Sequence, residues 1–288
     1  MSQPEVSDQN AIHTMVCQEV HFRTSWYQRW DPLLGLAAGV YGHHRPNGVS
    51  PGGLIYHRKY WEWAAIAQAL DERGMLCEGK CALGFAVGTE PLSSLFASRG
   101  VQVLATDLAV DDPGTKHWSG SNQHAAALDD LHYPHLIGNE AFRQRVTFRS
   151  IDMRKLPDLP RAQFDFVWSA CALEHLGSLK AGLKFVHEAT ELLKPGGVGI
   201  HTTEFNVASL DRTLEDRQNV IYLRKHIEQL DADLRKNGRC LAEPDYFPGD
   251  GEHDRTYDLP PYYVSGRQHV KLKFCGHITT SIILLVLA

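Results

Sequence analysis

The sequence predicts an α/β fold in which helices cover both faces of a mostly parallel β-sheet. Strand-like and helix-like segments alternate between residues 80 and 203, and the first strand runs through a small-residue turn into its helix. Alternating strands and helices form a parallel sheet with both faces covered. The chain ends in two strand-like segments joined by Cys275-Gly276, too short a connection for a crossover, so we expect an antiparallel edge hairpin there.

The elements follow in order along the chain. Residues 1–56 are expected to form an N-terminal extension, a helix followed by a Gly/Pro-rich loop, and residues 57–288 the main domain. A helix over His57–Arg73 ends at Gly74. The alternation then predicts strands at Lys80–Leu83, Val101–Thr106, Arg145–Arg149, Phe164–Ser169 and Val198–Thr203, with helices at Glu90–Ser98 and Leu179–Leu193.

The alternation breaks after Phe205. Thr213–Lys236 has the pattern of one long amphipathic helix, and a loop rich in Pro, Asp and Gly follows over Glu243–Pro261. We interpret residues 206–262 as an inserted helix and lid. The closing strands are predicted at His269–Phe274 and His277–Leu287.

Composition excludes several classes of protein. Of 288 residues, 34 are acidic and 29 basic, which gives a formal charge of −5 and disfavours a nucleic-acid partner, since no dense Lys/Arg tract is present. The longest apolar stretch, Ser281–Ala288, is far shorter than the roughly 20 residues of a membrane span. The first ten residues have no signal-peptide pattern. We therefore expect a cytoplasmic protein without a membrane span; its oligomeric state is left open.

The turn after the first predicted strand, Leu83–Glu90, is the most informative segment. Its small residues let a ligand approach the backbone. A dinucleotide fingerprint would need glycine at positions 84, 86 and 89, but the chain has Gly84, Ala86 and Thr89, with its second glycine at 88. Pyrophosphate binding is therefore disfavoured, although two glycines alone could simply shape a tight turn.

Two acidic residues follow later strands at the same edge of the sheet. Asp107 lies 23 positions after Gly84, at the end of the next strand, where a carboxylate accepts hydrogen bonds from a ribose diol. Asp152 comes just past the third strand and would face the base. Asp107 could equally be a helix cap or a solvated loop charge, but together the two acids indicate a nucleoside.

These residues resemble the class I S-adenosylmethionine-dependent methyltransferases, and within them a bacterial group associated with glycan or small-molecule tailoring. The resemblance spans about residues 57–287. It depends on Leu83–Gly88 as the methionine-side loop, Thr106-Asp107 as the ribose acid, Ile151-Asp152-Met153 as the adenine-side segment and Phe164–Ser169 as the fourth strand. Glu174–Ser178, Leu193–Gly197 and His201–Glu204 complete the set.

The resemblance implies a Rossmann-like fold, S-adenosyl-L-methionine as cofactor and S-adenosyl-L-homocysteine as product. The residues it assigns to the cofactor are Gly84, Phe85, Ala86, Gly88, Glu90, Asp107, Asp152, Met153, Ser169 and Ala170. Ala86 stands where such families usually have glycine. If its backbone is left-handed, the cost is about 1–2 kcal/mol.

Methyl transfer mainly requires that the acceptor atom be held in line with the activated methyl group. A hydroxyl acceptor also needs a base, and histidine has a suitable pKa. His175 and His201 follow adjacent strands, so we expect them at a shared site, with Glu174 orienting a histidine; a purely structural role for each imidazole is the alternative. A divalent metal held by His201 and Glu204, helped by His253 or Asp254, is the less favoured chemistry.

The acceptor is expected to be a small molecule or a glycan, methylated on oxygen. The N-terminal extension and the lid should form the acceptor walls, because additions over the carboxyl ends of strands select the ligand in such folds. The expected wall residues are Tyr56, His57, Trp61, Tyr262 and Tyr263. Two other functions remain open: an NAD-dependent oxidoreductase, and a non-catalytic binding or scaffold protein that has kept the fold.

Overall fold

The computed structural model describes residues 11–36, 54–115, 123–156, 159–264 and 268–288. Its strands are β1 Met15–Val16, β2 Cys81–Gly84, β3 Gln102–Asp107, β4 Val146–Ser150, β5 Phe164–Ala170, β6 Leu193–Asn206, β7 Cys240–Leu241, β8 Leu272–Phe274 and β9 His277–Leu287. Its α-helices are α1 Ser25–Leu34, α2 Arg58–Glu72, α3 Leu92–Ser98, α4 Asn139–Arg145, α5 Leu179–Thr190, α6 Arg224–Arg235 and α7 Glu252–Arg255.

The strands form one sheet in the order β1-β9-β6-β5-β2-β3-β4. Neighbours from β6 to β4 run parallel, and β9 lies antiparallel to β6 over nine residue pairs. The predicted fold, a mostly parallel sheet with an antiparallel C-terminal edge, is therefore confirmed. Because β2 to β5 are parallel, their carboxyl ends meet at one edge of the sheet.

Three short strands cover the outer edge of β9. β8 pairs near its beginning at Thr279, β1 in the middle at Ile282 and Ile283, and β7 at its end. An unpaired edge strand exposes a row of backbone donors and acceptors that other chains can pair with. The N-terminal segment, β7 and the β8–β9 hairpin together protect this apolar strand.

The predicted long helix over Thr213–Lys236 is wrong in its first half. The helix begins at Arg224, and the preceding residues form an extended loop in which Glu215 bridges to Val220. Asp216 fixes the turn, since its Oδ1 accepts the backbone N–H groups of Gln218 and Asn219, both at 2.7 Å. The residues Val220–Leu223 are all fully buried, so this apolar run packs as extended chain instead of as one face of a helix.

Other boundaries differ for local reasons. The helix expected to reach Leu193 ends at Thr190, and β6 begins at Leu193 and continues to Asn206, three residues beyond the prediction. Helix α4 and the short strands β1 and β7 had no clear periodicity and were not predicted. The Gly/Pro-rich loop expected in the extension lies mostly outside the described residues, which stop at Leu36 and resume at Leu54.

Helix α2 brings the N-terminal part of the chain to the carboxyl edge of the sheet. Its first turn packs against β9 and β6, and His57 caps it by accepting the Lys59 backbone N–H on Nδ1 at 3.0 Å. One apolar cluster on this face joins α1, α2 and α3 to the sheet, and a second joins α5 and α6 to the opposite face. Both faces of the sheet are thus covered, as expected.

Candidate active site

A half-open cavity lies at the carboxyl edge of the parallel strands. Its walls come from the residues that follow β2, β3, β4 and β5 and from the first turns of α2. Ligands of open α/β sheets bind in this crevice. Seven of the ten residues expected to hold a cofactor line it: Ala86, Gly88, Glu90, Asp107, Asp152, Met153 and Ala170.

The turn after β2 forms the floor of the cavity. A Cβ atom at Gly84 would come within 2.3 Å of the Trp168 ring, so only glycine fits under that side chain. Ala86 has a left-handed backbone, with φ +46°, and Gly88 has φ +52°. A Cβ at Gly88 would also lie 2.6 Å from the carbonyl oxygen of Gln123. The strained backbone expected at Ala86 is therefore present.

Three of the assigned residues do not reach the cavity wall. Besides Gly84, these are Phe85, whose ring is buried edge-on against Phe185 at 5.0 Å, and Ser169, whose side chain is fully buried. Side chains on a strand alternate between its two faces, so Phe85 and Ser169 point into the core on the α5 side. They support the turn from below, which corrects their assignment as cofactor contacts.

Asp107 is held rigidly at the end of β3. Its carboxylate accepts backbone N–H groups from Gly88 at 3.0 Å, Leu108 at 2.8 Å and Ala125 at 3.3 Å. Burial raises the pKa of Asp107, while these hydrogen bonds and the nearby His124 oppose the rise. A carboxylate has about four acceptor sites, so one remains for a ligand hydroxyl in the cavity.

The far end of the cavity is formed by Ile151–Arg154, after β4. Arg154 Nε lies 2.8 Å from Asp152 Oδ1, and its guanidinium reaches Asp112 at 3.3 Å. Burial alone would raise the pKa of Asp152, but Arg154 lowers it below the usual value. Asp152 is therefore an anion that can accept a hydrogen bond from the amino group of a base.

The opposite end of the cavity carries a charged cluster from α2 and α3. The Lys59 ammonium lies 2.8 Å from Glu90 Oε1 and 3.4 Å from Glu62 Oε2. Burial raises the pKa of Glu90 to about 6, although Lys59 opposes the rise. This end is polar and can hold an ionised group of a ligand.

Of the two histidines predicted as bases, His175 is the one that lines the cavity. It follows β5 in a short 3-10 turn, and its Nδ1 lies 3.0 Å from the backbone carbonyl oxygen of Gln218. A carbonyl only accepts, so Nδ1 carries the proton and the neutral ring has its lone pair on Nε2. His175 is thus in the tautomer that a general base requires.

The other two catalytic assignments are wrong. His201 is fully buried in the middle of β6, with Nδ1 2.8 Å from Ser169 Oγ and its ring edge-on to Phe185. Burial lowers its pKa to about 3, and it does not reach the cavity. Glu174 is also buried and accepts a hydrogen bond from Thr203 Oγ1 at 2.9 Å, so it orients neither histidine. His201 lies inside β6 and not at its end, and its side chain points to the face of the sheet that α5 covers.

The expected acceptor-wall residues separate into two groups. His57, Tyr262 and Tyr263 pack together: the His57 and Tyr263 rings are stacked at 5.5 Å, and His57 Nε2 lies 3.3 Å from the Tyr263 hydroxyl oxygen. Trp61 is fully buried against His21, and Tyr56 packs on Phe22 and His253. None of these five residues lines the cavity, and Trp61 is a core residue, which corrects its assignment to the wall.

The weak metal candidates are not brought together. His201 faces α5, whereas Glu204, three positions later on the continuous strand, forms an ion pair with Arg58 of α2 on the opposite face. Asp254 is buried and lies 3.1 Å from the Lys271 ammonium, and the His253 ring packs at a tilt against Tyr56. No group of three or more His, Cys, Asp or Glu side chains in the described ranges could hold a metal ion.

Several cavity residues were not found from the sequence. Lys59, Trp63, His124, Arg154 and Cys171 all line it. Helical periodicity predicts that Lys59 lies on a helix but not that it reaches the cavity. The loop that carries His124 has no regular pattern. The N-cap at His57 was the available signal for Lys59, because a cap fixes which residues form the first turn of the helix.

A family model described as a methyltransferase domain matches residues 83–200, from the turn after β2 to the middle of β6. This segment supplies nearly all of the cavity wall, and the match agrees with the family that the resemblance predicted. A search of curated proteins gave no significant match. Among the described residues, no helix is long and apolar enough to cross a membrane.

Several solved structures match the chain. One is magnesium protoporphyrin IX methyltransferase from Synechocystis PCC 6803 with bound S-adenosylhomocysteine, 14% identical over 93% of this chain and 96% of that chain, with a TM-score of 0.48. Another is phosphoethanolamine N-methyltransferase 2 from Haemonchus contortus with S-adenosylmethionine, 21% identical over 73% of this chain, with a TM-score of 0.43. The match covers 44% of the Haemonchus protein, less than half its length.

Proposed function

We propose that this chain, whose residues 83–200 match a methyltransferase domain model, transfers a methyl group from S-adenosylmethionine to an oxygen of a small molecule or a glycan. The observation that carries the proposal is the cavity itself. It combines a nucleoside-type end at Asp107 and Asp152, a small-residue floor at Ala86–Gly88 and a polar end at Lys59 and Glu90. These features succeed one another in the order of the adenosine, thioether and amino-acid parts of the cofactor.

The cofactor orientation follows from the donors and acceptors. The ribose diol would donate to Asp107, and the adenine amino group to Asp152. The sulfonium would then lie over the turn at Ala86–Gly88, which leaves its methyl group facing the residues after β5. His175 and Leu176 lie there. The sulfonium already activates the methyl group, so the protein's task is to position the acceptor and exclude water.

Oxygen is favoured as the accepting atom because the base points to the cavity. A hydroxyl must lose a proton as it attacks, and His175 has the tautomer that accepts one on Nε2. We keep the small molecule or glycan as the proposed acceptor, although His57, Tyr262 and Tyr263 pack on one another and do not line the cavity. We place the reaction in the cytoplasm, since all six cysteines are free thiols, as is usual in reducing compartments.

A transfer assay with S-[methyl-³H]adenosylmethionine tests this function. We would offer separate panels of phenols, monosaccharides, carboxylic acids and amines and identify the methylated atom by mass spectrometry. The proposal expects label in an O-methyl product of the phenol or sugar panel. Label only in the amine panel would show that the enzyme methylates nitrogen instead of oxygen. If the protein binds the cofactor but transfers label to no panel, the non-catalytic alternative is favoured.

A further inference from the structure

The Lys59 ammonium occupies a cage of three oxygen atoms at the polar end of the cavity. Its Nζ lies 2.8 Å from Glu90 Oε1, 3.2 Å from the carbonyl oxygen of Ala170 and 3.4 Å from Glu62 Oε2. Three acceptors match the three donors of a primary ammonium group. The cage joins the starts of α2 and α3 to the end of β5, so it is built from three separate segments.

The Glu90 carboxylate can accept more hydrogen bonds than Lys59 donates to it. The residue is only 8% exposed and lines the cavity; the Trp63 indole also interacts with its carboxylate, but no well-aligned hydrogen bond from the described residues reaches the buried Oε2. A buried carboxylate oxygen without a partner costs free energy. A ligand that brings further donors into this end of the cavity would remove that cost.

Negative charge also exceeds positive charge around the cage. Arg58 and Lys59 face the carboxylates of Glu62, Glu90, Glu174 and Glu204, all buried and mutually interacting. Glu62 is satisfied by Thr202 at 2.9 Å, by Cys171 at 3.0 Å and by Ser281. An ammonium group of a ligand that takes the place of Lys59 would therefore meet the same acceptors, whereas a ligand carboxylate would not be attracted by the cage.

We propose that this cage is the binding site for the α-ammonium group of the cofactor, and that Lys59 occupies it as an internal competitor which the cofactor displaces. The inference rests on the proposed function, which places the amino-acid part of S-adenosylmethionine at this end. The cofactor's ammonium has the same three donors as Lys59 and arrives on a ligand already anchored at Asp107 and Asp152. Lys59 has a flexible four-carbon stem and 19% of its side chain exposed, so its displaced ammonium can reach solvent.

Lysine labelling of the wild-type protein tests the displacement directly. Acetylation by a water-soluble acylating reagent, read by peptide mass spectrometry, would be compared without ligand, with S-adenosylhomocysteine and with 5′-methylthioadenosine, which lacks the amino-acid part. The proposal expects S-adenosylhomocysteine to increase Lys59 labelling severalfold and 5′-methylthioadenosine to leave it unchanged. Exposed Lys184 on α5 is the internal reference. Unchanged or reduced Lys59 labelling with saturating S-adenosylhomocysteine overturns the proposal.

Calorimetry on Lys59→Met is an independent test, because S-adenosylhomocysteine binds more tightly if Lys59 competes with the cofactor and more weakly if Lys59 anchors it. If Lys59 competes, its removal tightens S-adenosylhomocysteine binding by about tenfold, because the occupied fraction of the cage no longer reduces the apparent affinity. If it instead anchors the cofactor carboxylate, binding weakens and the proposal fails. Binding of 5′-methylthioadenosine should not change, and Lys80→Met, whose pair with Asp165 lies at the other edge of the sheet, should bind both ligands normally.

The two ligands also separate this proposal from the function on which it depends. If neither ligand binds the wild-type protein, the proposed cofactor site itself is wrong. If both bind but Lys59 responds to neither, only the cage assignment fails. Should Lys59→Met not fold, because Glu62 and Glu90 lose a buried partner, the labelling result on the wild-type protein decides.

Discussion

His175 is the side chain on which the chemistry of the proposed reaction depends. His175→Ala removes the base, so we expect turnover of an O-acceptor to fall by about 10²–10⁴-fold. The dissociation constant for S-adenosylhomocysteine, measured by calorimetry, should change little, because the cofactor's anchors at Asp107 and Asp152 are intact. The matched control is His187→Ala: His187 lies on α5 and does not line the cavity, so this variant should keep its turnover. Full turnover by the His175 variant would rule out its role as base.

Ala86 carries a strain that a single substitution can release. Its φ of +46° costs a non-glycine residue about 1–2 kcal/mol, and part of the gain from glycine is lost through the greater entropy of the unfolded chain. We expect Ala86→Gly to raise the free energy of unfolding by up to about 1 kcal/mol in urea denaturation. Ala67→Gly, in the middle of α2, should lower it by about 1 kcal/mol. Equal losses in the two variants would contradict the assignment of strain.

At the level of elements, one buried ion pair joins the predicted lid to the residue before β8, and hydrogen bonds from the same pair hold the N-terminal segment. Asp254 lies 3.1 Å from Lys271, both nearly inaccessible, and it also accepts the Glu19 backbone N–H at 3.0 Å. Asp254→Ala leaves Lys271 buried without its carboxylate, so the free energy of unfolding should fall by about 3–5 kcal/mol. Asp233→Ala, which breaks the exposed pair with Lys236, should cost less than about 1 kcal/mol. Similar losses in thermal or chemical unfolding would contradict this difference.

Elements whose periodicity comes from simple burial were predictable from the sequence. Strands β2 to β5 and helix α2 lie within a residue or two of their expected places, whereas β6 is longer than predicted at both ends. The segment before α6 was not predictable, since Val220–Leu223 is buried on all sides. An apolar run of that length fits helix and extended chain equally well. β1 and β7 exist only because distant β9 offers them an edge.

The residues of the candidate site also differ in how well the sequence predicted them. The turn at Ala86–Gly88, Asp107 and Asp152 follow strands, so their place at the carboxyl edge is a matter of topology. The error at His201 arose from its side-chain direction: it lies inside the strand and its ring packs against Phe185 of α5, in the core. Lys59 comes from a helix and Cys171 from a loop, and only the tertiary fold brings both to the cavity. No sequence pattern predicts that proximity.

At the scale of the whole molecule, buried His201 should make stability depend on pH. Burial lowers its pKa to about 3 in the folded state, against about 6.5 when unfolded. The folded state therefore binds fewer protons, and this part of the stability, complete above pH 6.5, is lost as the pH falls towards 3. His21 is buried with a similarly lowered pKa and adds to the wild-type slope.

Replacing His201 isolates its share of that slope. Between pH 4 and 6, His201→Gln should reduce the pH dependence of the free energy of unfolding by up to one proton, about 1.4 kcal/mol per pH unit. Urea titrations across this range measure it. Identical slopes for the variant and the wild-type protein would show that His201 does not titrate as a buried neutral imidazole.

The central claim is that the cavity at the carboxyl edge binds S-adenosylmethionine through Asp107. Isothermal titration of S-adenosylhomocysteine into the wild-type protein and into Asp107→Ala tests it most directly. We predict saturable binding at one site per chain in the wild-type protein and at least a tenfold weaker association in the variant, because a ribose hydroxyl loses a charged acceptor worth about 1.5–3 kcal/mol. The account would be contradicted by no heat of binding at millimolar ligand, or by equal affinity in the two proteins.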